Sequence, residues 1–303
     1  MSQQPQSMNL SSWGLLILLS VLWGSSFFFA GVSVREVPPL TVVLVRVGLA
    51  VFMLLPIFWY YGHKLPNSFQ SWMPFIGMGV LNNVIPFGLL FYAQTQITVG
   101  LVSIINAMTP LFTVVVMTTF GVEKLTLNRF FGVLLGVVGV VVLQDFGRLL
   151  GVAQNLGIIL GLGATLSYGF SALWARRHLT GVPPLKSATC QLICSTVIMI
   201  VVVSFIEQPW TLRMPSIEAC LSLLGMALFG TAIAYIVFFK ILVSAGASNV
   251  MLVTLLIPIT AVMLGNIFLD EVIQSQEIIG ALVIGFGLLF IDGRILKLFT
   301  HKS

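Results

Sequence analysis

The 303-residue sequence predicts an all-α polytopic membrane protein, with ten transmembrane helices forming two inverted five-helix repeats around a central cavity. Three observations predict it. Hydrophobic residues make up 58% of the chain and charged residues only 8%, against about 25% charged in a soluble domain, so a soluble core of this size would lack the polar surface to cover it. Ten apolar stretches each approach the roughly 20 residues that a helix needs to cross a bilayer. Finally, the first half of the chain matches the second, in the same order.

The helices are expected near 13–34, 40–60, 72–93, 99–120, 129–147, 155–175, 186–206, 218–240, 247–269 and 275–293, joined by loops too short for a soluble domain. The stretch before the first, MSQQPQSMNLSSW, has no Lys or Arg. It lacks the positive n-region of a signal peptide, so a retained first helix is expected. Pro38-Pro39 ends the first helix and starts the second, and Pro183-Pro184 does the same between the sixth and seventh. Cys190 and Cys194 lie one turn apart with no His or acidic residue near them in sequence, and read as small apolar filler rather than a metal or redox pair.

The net charge of +5 is an orientation signal and gives no reason to expect a nucleic-acid partner. With the N-terminus in the cytoplasm, ten Lys and Arg fall inside, three (Arg35, Arg148, Arg213) outside, and Arg46 within a helix. Cytoplasmic loops carry the basic excess, so both termini are expected in the cytoplasm, with the lipid bilayer as the partner around the chain.

The internal match appears at two offsets. At 145, Val37–Leu40 (VPPL) falls on Val182–Leu185, Trp23 on Tyr168, Gly24 on Gly169 and Ser26 on Ser171. At 148, Phe91 falls on Phe239, Pro110 on Pro258, Glu123 on Glu271, Gly132 on Gly280 and Gly139 on Gly287. Because five is odd, the second half starts on the opposite side of the membrane. The loop charges agree: GVEKLTLNR after the fourth helix holds two basic residues, whereas its counterpart LDEVIQSQE holds none. Inverted repeats of this kind are typical of secondary transporters.

The ordered set of Trp23-Gly24-Ser25-Ser26, Pro38-Pro39, Arg46, the prolines of the fourth and ninth helices and the acidic residue after each resembles the EamA-type branch of the drug/metabolite transporter superfamily. The resemblance covers essentially the whole chain and divides it into halves at 1–147 and 155–303. It implies an exporter or facilitator of small metabolites, amino acids and their analogues, in a plasma membrane such as a bacterial inner membrane. It also implies a cavity between helices 1, 3, 4 and 6, 8, 9, with helices 5 and 10 outside it. A monomer is compatible with this arrangement.

Candidate site residues follow from polarity inside apolar helices. Pro110 and Pro258 each remove a backbone hydrogen bond, and symmetric interruptions mark a substrate site or hinge. Trp23, Ser26, Asn82, Asn83, Phe87, Asn106, Tyr168, Ser171, Tyr235 and Asn249 supply aromatic walls and a few polar anchors, which suit a small amphiphilic solute. Interhelical hydrogen bonding explains any single Asn or Ser among them as well. Arg46 lies about ten Å, seven residues at 1.5 Å each, from the outer end of its helix. It suits a substrate carboxylate, a snorkelling contact or a tie within the fold, and the resemblance, which includes an Arg here across varied substrates, points to a structural or gating role. Gly132, Gly136, Gly139, Gly280 and Gly287 offer close-packing faces.

All nine acidic residues fall at helix ends or in loops, whereas proton relays usually use intramembrane Asp, Glu or His. Facilitated passage of a zwitterionic or aromatic solute is therefore expected ahead of a proton-coupled antiporter using Glu123 or Glu271, or a channel-like pore. No nucleophile with its base, HExxH helix or intramembrane carboxylate pair is present. An enzyme is not expected, and no cofactor or metal is called for.

Overall fold

The computed structural model describes residues 10–143, 152–245, 250 and 252–292, and among them the regular structure is helical. We label the ten apolar helices in chain order: α1 (Leu10–Ser33), α2 (Pro39–Tyr60), α3 (Phe69–Gln94), α4 (Val99–Thr119), α5 (Leu127–Leu143), α6 (Val152–His178), α7 (Pro184–Ile206), α8 (Ile217–Leu242), α9 (Val253–Leu269) and α10 (Ser275–Asp292). Seven are long and apolar enough to cross a bilayer alone, and α5, α9 and α10 are shorter apolar helices. The chain is an integral membrane protein.

Local chemistry sets the helix starts. Pro39 and Pro184 occupy the first helical positions of α2 and α7, where the missing N–H has no cost. Ser68, Thr98 and Ser216 cap α3, α4 and α8, each side chain accepting from the N–H three residues on. α1 and α3 each begin three residues before the expected start. α9 is described over Val253–Leu269, and the expected end of the fifth helix at 144–147 and start of the ninth at 247–249 lie outside the described residues.

Two features are visible only in three dimensions. α3 and α8 each contain a π-turn, Val80–Val84 and Leu228–Ile233, whose first residues are 148 apart. A π-turn displaces the hydrogen-bond ladder by one residue, and in lipid the freed carbonyls need donors. Ser167 Oγ donates to Leu81 O at 2.8 Å and Ser195 Oγ to Gly79 O at 3.2 Å. α4 also differs from the expected kinked helix. It tightens at Ala107–Met108, where Met108 N donates to Ile105 O at 3.0 Å, so Pro110 sits in the first turn of a new segment. The carbonyl that the Pro110 ring releases, Asn106 O, accepts Thr109 Oγ1 at 2.8 Å. Pro258, its counterpart, lies inside an unbroken α9.

The helices pack in pairs that obey the two-fold relation. A Cβ at Gly24 would meet Thr260 and Ile257 O of α9, and one at Gly169 would meet Phe112 O of α4; Phe112 and Thr260 are themselves 148 apart. α5 lies against α10 with Gly132 facing Gly287 O and Gly139 facing Gly280 O. The pairing 132 with 287 and 139 with 280 runs antiparallel. Each glycine contacts the symmetry mate of the other, as an isologous contact requires. Backbone contact this close is what small residues permit between membrane helices.

Candidate functional site

Arg46 projects from α2 into the protein interior and is only 8% exposed. Its Nε donates to Thr231 Oγ1 at 3.1 Å and its Nη2 to Gly230 O at 3.4 Å, both in the α8 π-turn. The guanidinium carbon lies 4.0 Å from the Phe87 ring centroid and 5.8 Å from that of Phe91. The phenols of Tyr168 and Tyr235 lie within its electrostatic range. A desolvated cation over an aromatic face gains about 2 kcal/mol. Phe87 stacks on Phe91 (6.1 Å, 11°), and their counterparts Tyr235 and Phe239 stack in the same way (5.9 Å, 15°).

The other half builds a matching contact with different chemistry. Gln191, the counterpart of Arg46 at offset 145, accepts from Asn82 Nδ2 at 3.3 Å in the α3 π-turn. Asn82 is the counterpart of Gly230 at offset 148. Ser171 Oγ donates to Asn82 Oδ1 at 3.2 Å, while its counterpart Ser26 packs where a Gly230 Cβ would stand. Asn83, the counterpart of Thr231, donates from Nδ2 to Ser195 Oγ at 3.0 Å, and its buried Oδ1 has no partner among the described residues. Each π-turn is thus held by the second helix of the opposite half, through a cation on one side and amides on the other.

The structure therefore brings Arg46, Phe87, Tyr168 and Tyr235 together, and joins Asn82 to Ser171. Trp23 stands apart, tilted against Phe238 at 5.6 Å in a cluster with Leu19, Val237 and Ile257. Asn83 is fully buried in packing, and Asn106 presents a buried Oδ1 with no partner among the described residues. Asn249 lies outside the described residues. A cavity of about 500 Å³ opens between α4, α9 and α10, lined by Ile104, Pro258, Val262 and Ile284 with Glu277 at one side; the Arg46 cluster is not part of it. Cys190 and Cys194 are free and buried among Phe58, Phe75 and Leu179. Among the described residues no cluster has the makings of a metal site. Sequence reasoning missed Gln191, Gly230, Thr231 and Ser195. The repeat offsets applied to Arg46, Asn82 and Asn83 point to the first three, whereas Ser195 falls on Ala50 and had no such signal.

The loop carboxylates have definite partners. Glu207 accepts from Leu40 N (3.0 Å), Thr41 N (2.6 Å) and Thr41 Oγ1 (2.7 Å), with Tyr92 OH at 3.4 Å. Glu36 accepts from Ser216 N (2.7 Å) and Ser216 Oγ (2.6 Å). Glu271 accepts from Val99 N (2.7 Å) and Gly100 N (3.2 Å). Glu123 binds Arg129 at 2.8 Å and Arg176 at 2.9 Å.

Known proteins share this plan. The profile of the EamA-like transporter family matches residues 11–144 and again 155–292. The chain belongs to that family. Among relatives of this EamA chain, the uncharacterized inner membrane transporter YedA of Escherichia coli K12 is 27% identical over 280 residues, covering 92% of this chain and 90% of its own. The uncharacterized transporter YvbV of Bacillus subtilis 168 is 26% identical, covering 89% and 88%, and protein PecM of Dickeya dadantii 3937 is 23% identical, covering 92% of each. A solved crystal structure matches with a TM-score of 0.65 at 17% identity, over 97% of this chain and 100% of that one, and shares the fold. The protein is a membrane transporter of the EamA type.

Proposed function

We propose that this transporter is a facilitator that exports a small zwitterionic or aromatic metabolite, an amino acid or close analogue, by alternating access of the halves 1–147 and 155–303. The observation that carries the reading is the pair of equivalent contacts at the two π-turns, Arg46 with Gly230 and Thr231, and Gln191 with Asn82. Each joins the halves at a place where the helix is already interrupted, and one half can rock on the other by loosening one contact as its mate tightens. The aromatic and polar groups there, from Phe87, Asn82, Tyr168, Ser171 and Tyr235, give a solute an apolar body site with a few hydrogen-bonding anchors.

With both termini in the cytoplasm, the end bearing Glu36, Glu207 and Glu271 is the outer one, and the structure is read as closed there. Proton coupling through Glu123 or Glu271 has less support, because both carboxylates are committed to structural partners. The test is uptake of labelled amino acids into proteoliposomes with and without a pH gradient. Saturable uptake indifferent to the gradient is expected, and acceleration by the gradient would sink the facilitator. Uptake that never saturates would make it a channel, and no uptake of any amino acid would remove that solute class.

A further inference from the structure

Gln191 shows what a tie between a second helix and a π-turn requires. It performs that task with a neutral amide. A positive charge at the equivalent place is therefore more than the tie needs, and in this setting it is expensive: a charge withdrawn from water without a counter-ion loses several kcal/mol of solvation. Among the described residues no carboxylate pairs with Arg46, and the groups within its electrostatic range are the neutral phenols of Tyr168 and Tyr235.

The guanidinium also has donors to spare. It carries five N–H groups, and its hydrogen bonds to described residues are two, one of them long at 3.4 Å. Phe87 covers one of its faces at 4.0 Å, which leaves hydrogen-bonding capacity at the edge of the plane. That edge is the part of an arginine that takes a carboxylate in bidentate fashion. Phe87, stacked on Phe91, lies against the guanidinium, and the phenols of Tyr168 and Tyr235 are within its electrostatic range, Tyr235 being stacked on Phe239 in turn.

We propose that Arg46 anchors the carboxylate of the transported solute, so that the protein takes small monocarboxylates with an apolar or aromatic body, whether or not they carry an amine. This deepens the transporter reading above and rests on it for access to the site. The carboxylate supplies the missing counter-charge, and the aromatic pairs receive the body of the solute. An amine is not demanded by any acidic group near the guanidinium.

The test is binding to the full-length protein in detergent, read as the dose-dependent shift of its melting temperature, with 3-phenylpropionate and its neutral isostere 3-phenylpropanamide as probes. The acid is expected to bind at least about tenfold more tightly than the amide, the ratio for one charge-assisted hydrogen bond. Arg46→Gln should bring the two to parity, and Arg46→Lys, which keeps the charge but not the fork, should retain a reduced preference for the acid. A purely structural arginine lowers the melting temperature in both variants without moving the ratio. Equal binding of acid and amide to the native protein overturns the proposal, as does no binding of the acid, or a preference that survives in Arg46→Gln. Should Arg46→Gln not fold, the native ratio and Arg46→Lys decide. Energy coupling is read separately in the proteoliposomes, so gradient-driven uptake would overturn the facilitator and leave the anchor standing.

Discussion

The two ends of the helix bundle are joined by different chemistry. At one end, Glu36, Glu207 and Glu271 each reach from one half of the chain to backbone N–H groups in the first turn, or at the cap, of a helix in the other half, namely α8, α2 and α4. A helix start has unpaired donors and a partial positive charge, so a carboxylate held there satisfies both at fixed geometry. At the opposite end, Glu123 meets Arg176 of the other half through two flexible side chains, with 28% and 53% exposure. Exposed ion pairs contribute from nothing to about 1 kcal/mol. The repeat does not restore the balance, since the positions equivalent to Glu36 and Glu207 are Gly181 and Gly62. The difference teaches that an inverted repeat can be nearly symmetric in fold and strongly asymmetric in how its two ends are tied.

Removing the strongest tie is the most direct way to break that comparison. Glu207→Ala deletes the acceptor for Leu40 N, Thr41 N and Thr41 Oγ1 together. Charge-assisted bonds at a helix start are worth about 2 kcal/mol when partly buried, so the closed arrangement should lose roughly thirtyfold in population against an opened one. Hydrogen exchange at Leu40 and Thr41 should speed up by a similar factor while the amides of α5 and α10 are unchanged. Unchanged exchange at Leu40 and Thr41 would show that this end is held by something other than its carboxylates.

Much of this was legible in the sequence, and the rest has definite reasons for being hidden. The helices were legible because a bilayer demands about 20 apolar residues of each, and the repeat because Pro110 and Pro258, or Gly132 and Gly280, survive at fixed offsets. Arg46 stood out because any charge does in an apolar helix. Its partners did not, since Gly230 contributes only a carbonyl and Thr231 only a hydroxyl, and neither is unusual in a membrane helix. The π-turns leave no compositional mark, because VLNNV and LFGTAI read as ordinary helix. Trp23 and Tyr168 show the limit of the repeat itself: they are equivalent in sequence, yet Trp23 packs on Phe238 whereas Tyr168 lies within the electrostatic range of Arg46.

At the other end the expected effects are smaller. Glu123→Gln removes the charge that holds Arg129 and Arg176, and stability should fall by no more than about 1 kcal/mol, less at high salt. Thermal unfolding of the two proteins at low and high ionic strength measures it. A loss as large as that of Glu207→Ala would erase the distinction between the ends and assign Glu123 a gate of equal weight.

The smallest effect sharpens the comparison within the carboxylate-capped end. Glu36 is exposed, and its bonds from the Ser216 hydroxyl and then the Ser216 N–H hold its carboxyl below the ordinary value of 4.5. Because the folded-state pKa is depressed, the contact contributes above that ordinary value and is lost as the pH falls through the lower folded one. The cap on α8 should therefore be insensitive to pH from neutrality down to the usual carboxylate range and titrate only below it. The amide shift of Ser216, followed by NMR in detergent, should be flat over that upper range and move at its acid end, and Glu36→Gln should abolish the movement. A midpoint above the ordinary carboxylate value would mean that desolvation outweighs the two hydrogen bonds at this surface. Glu36 would then be an acid-sensitive latch, released above the ordinary carboxylate value rather than below it.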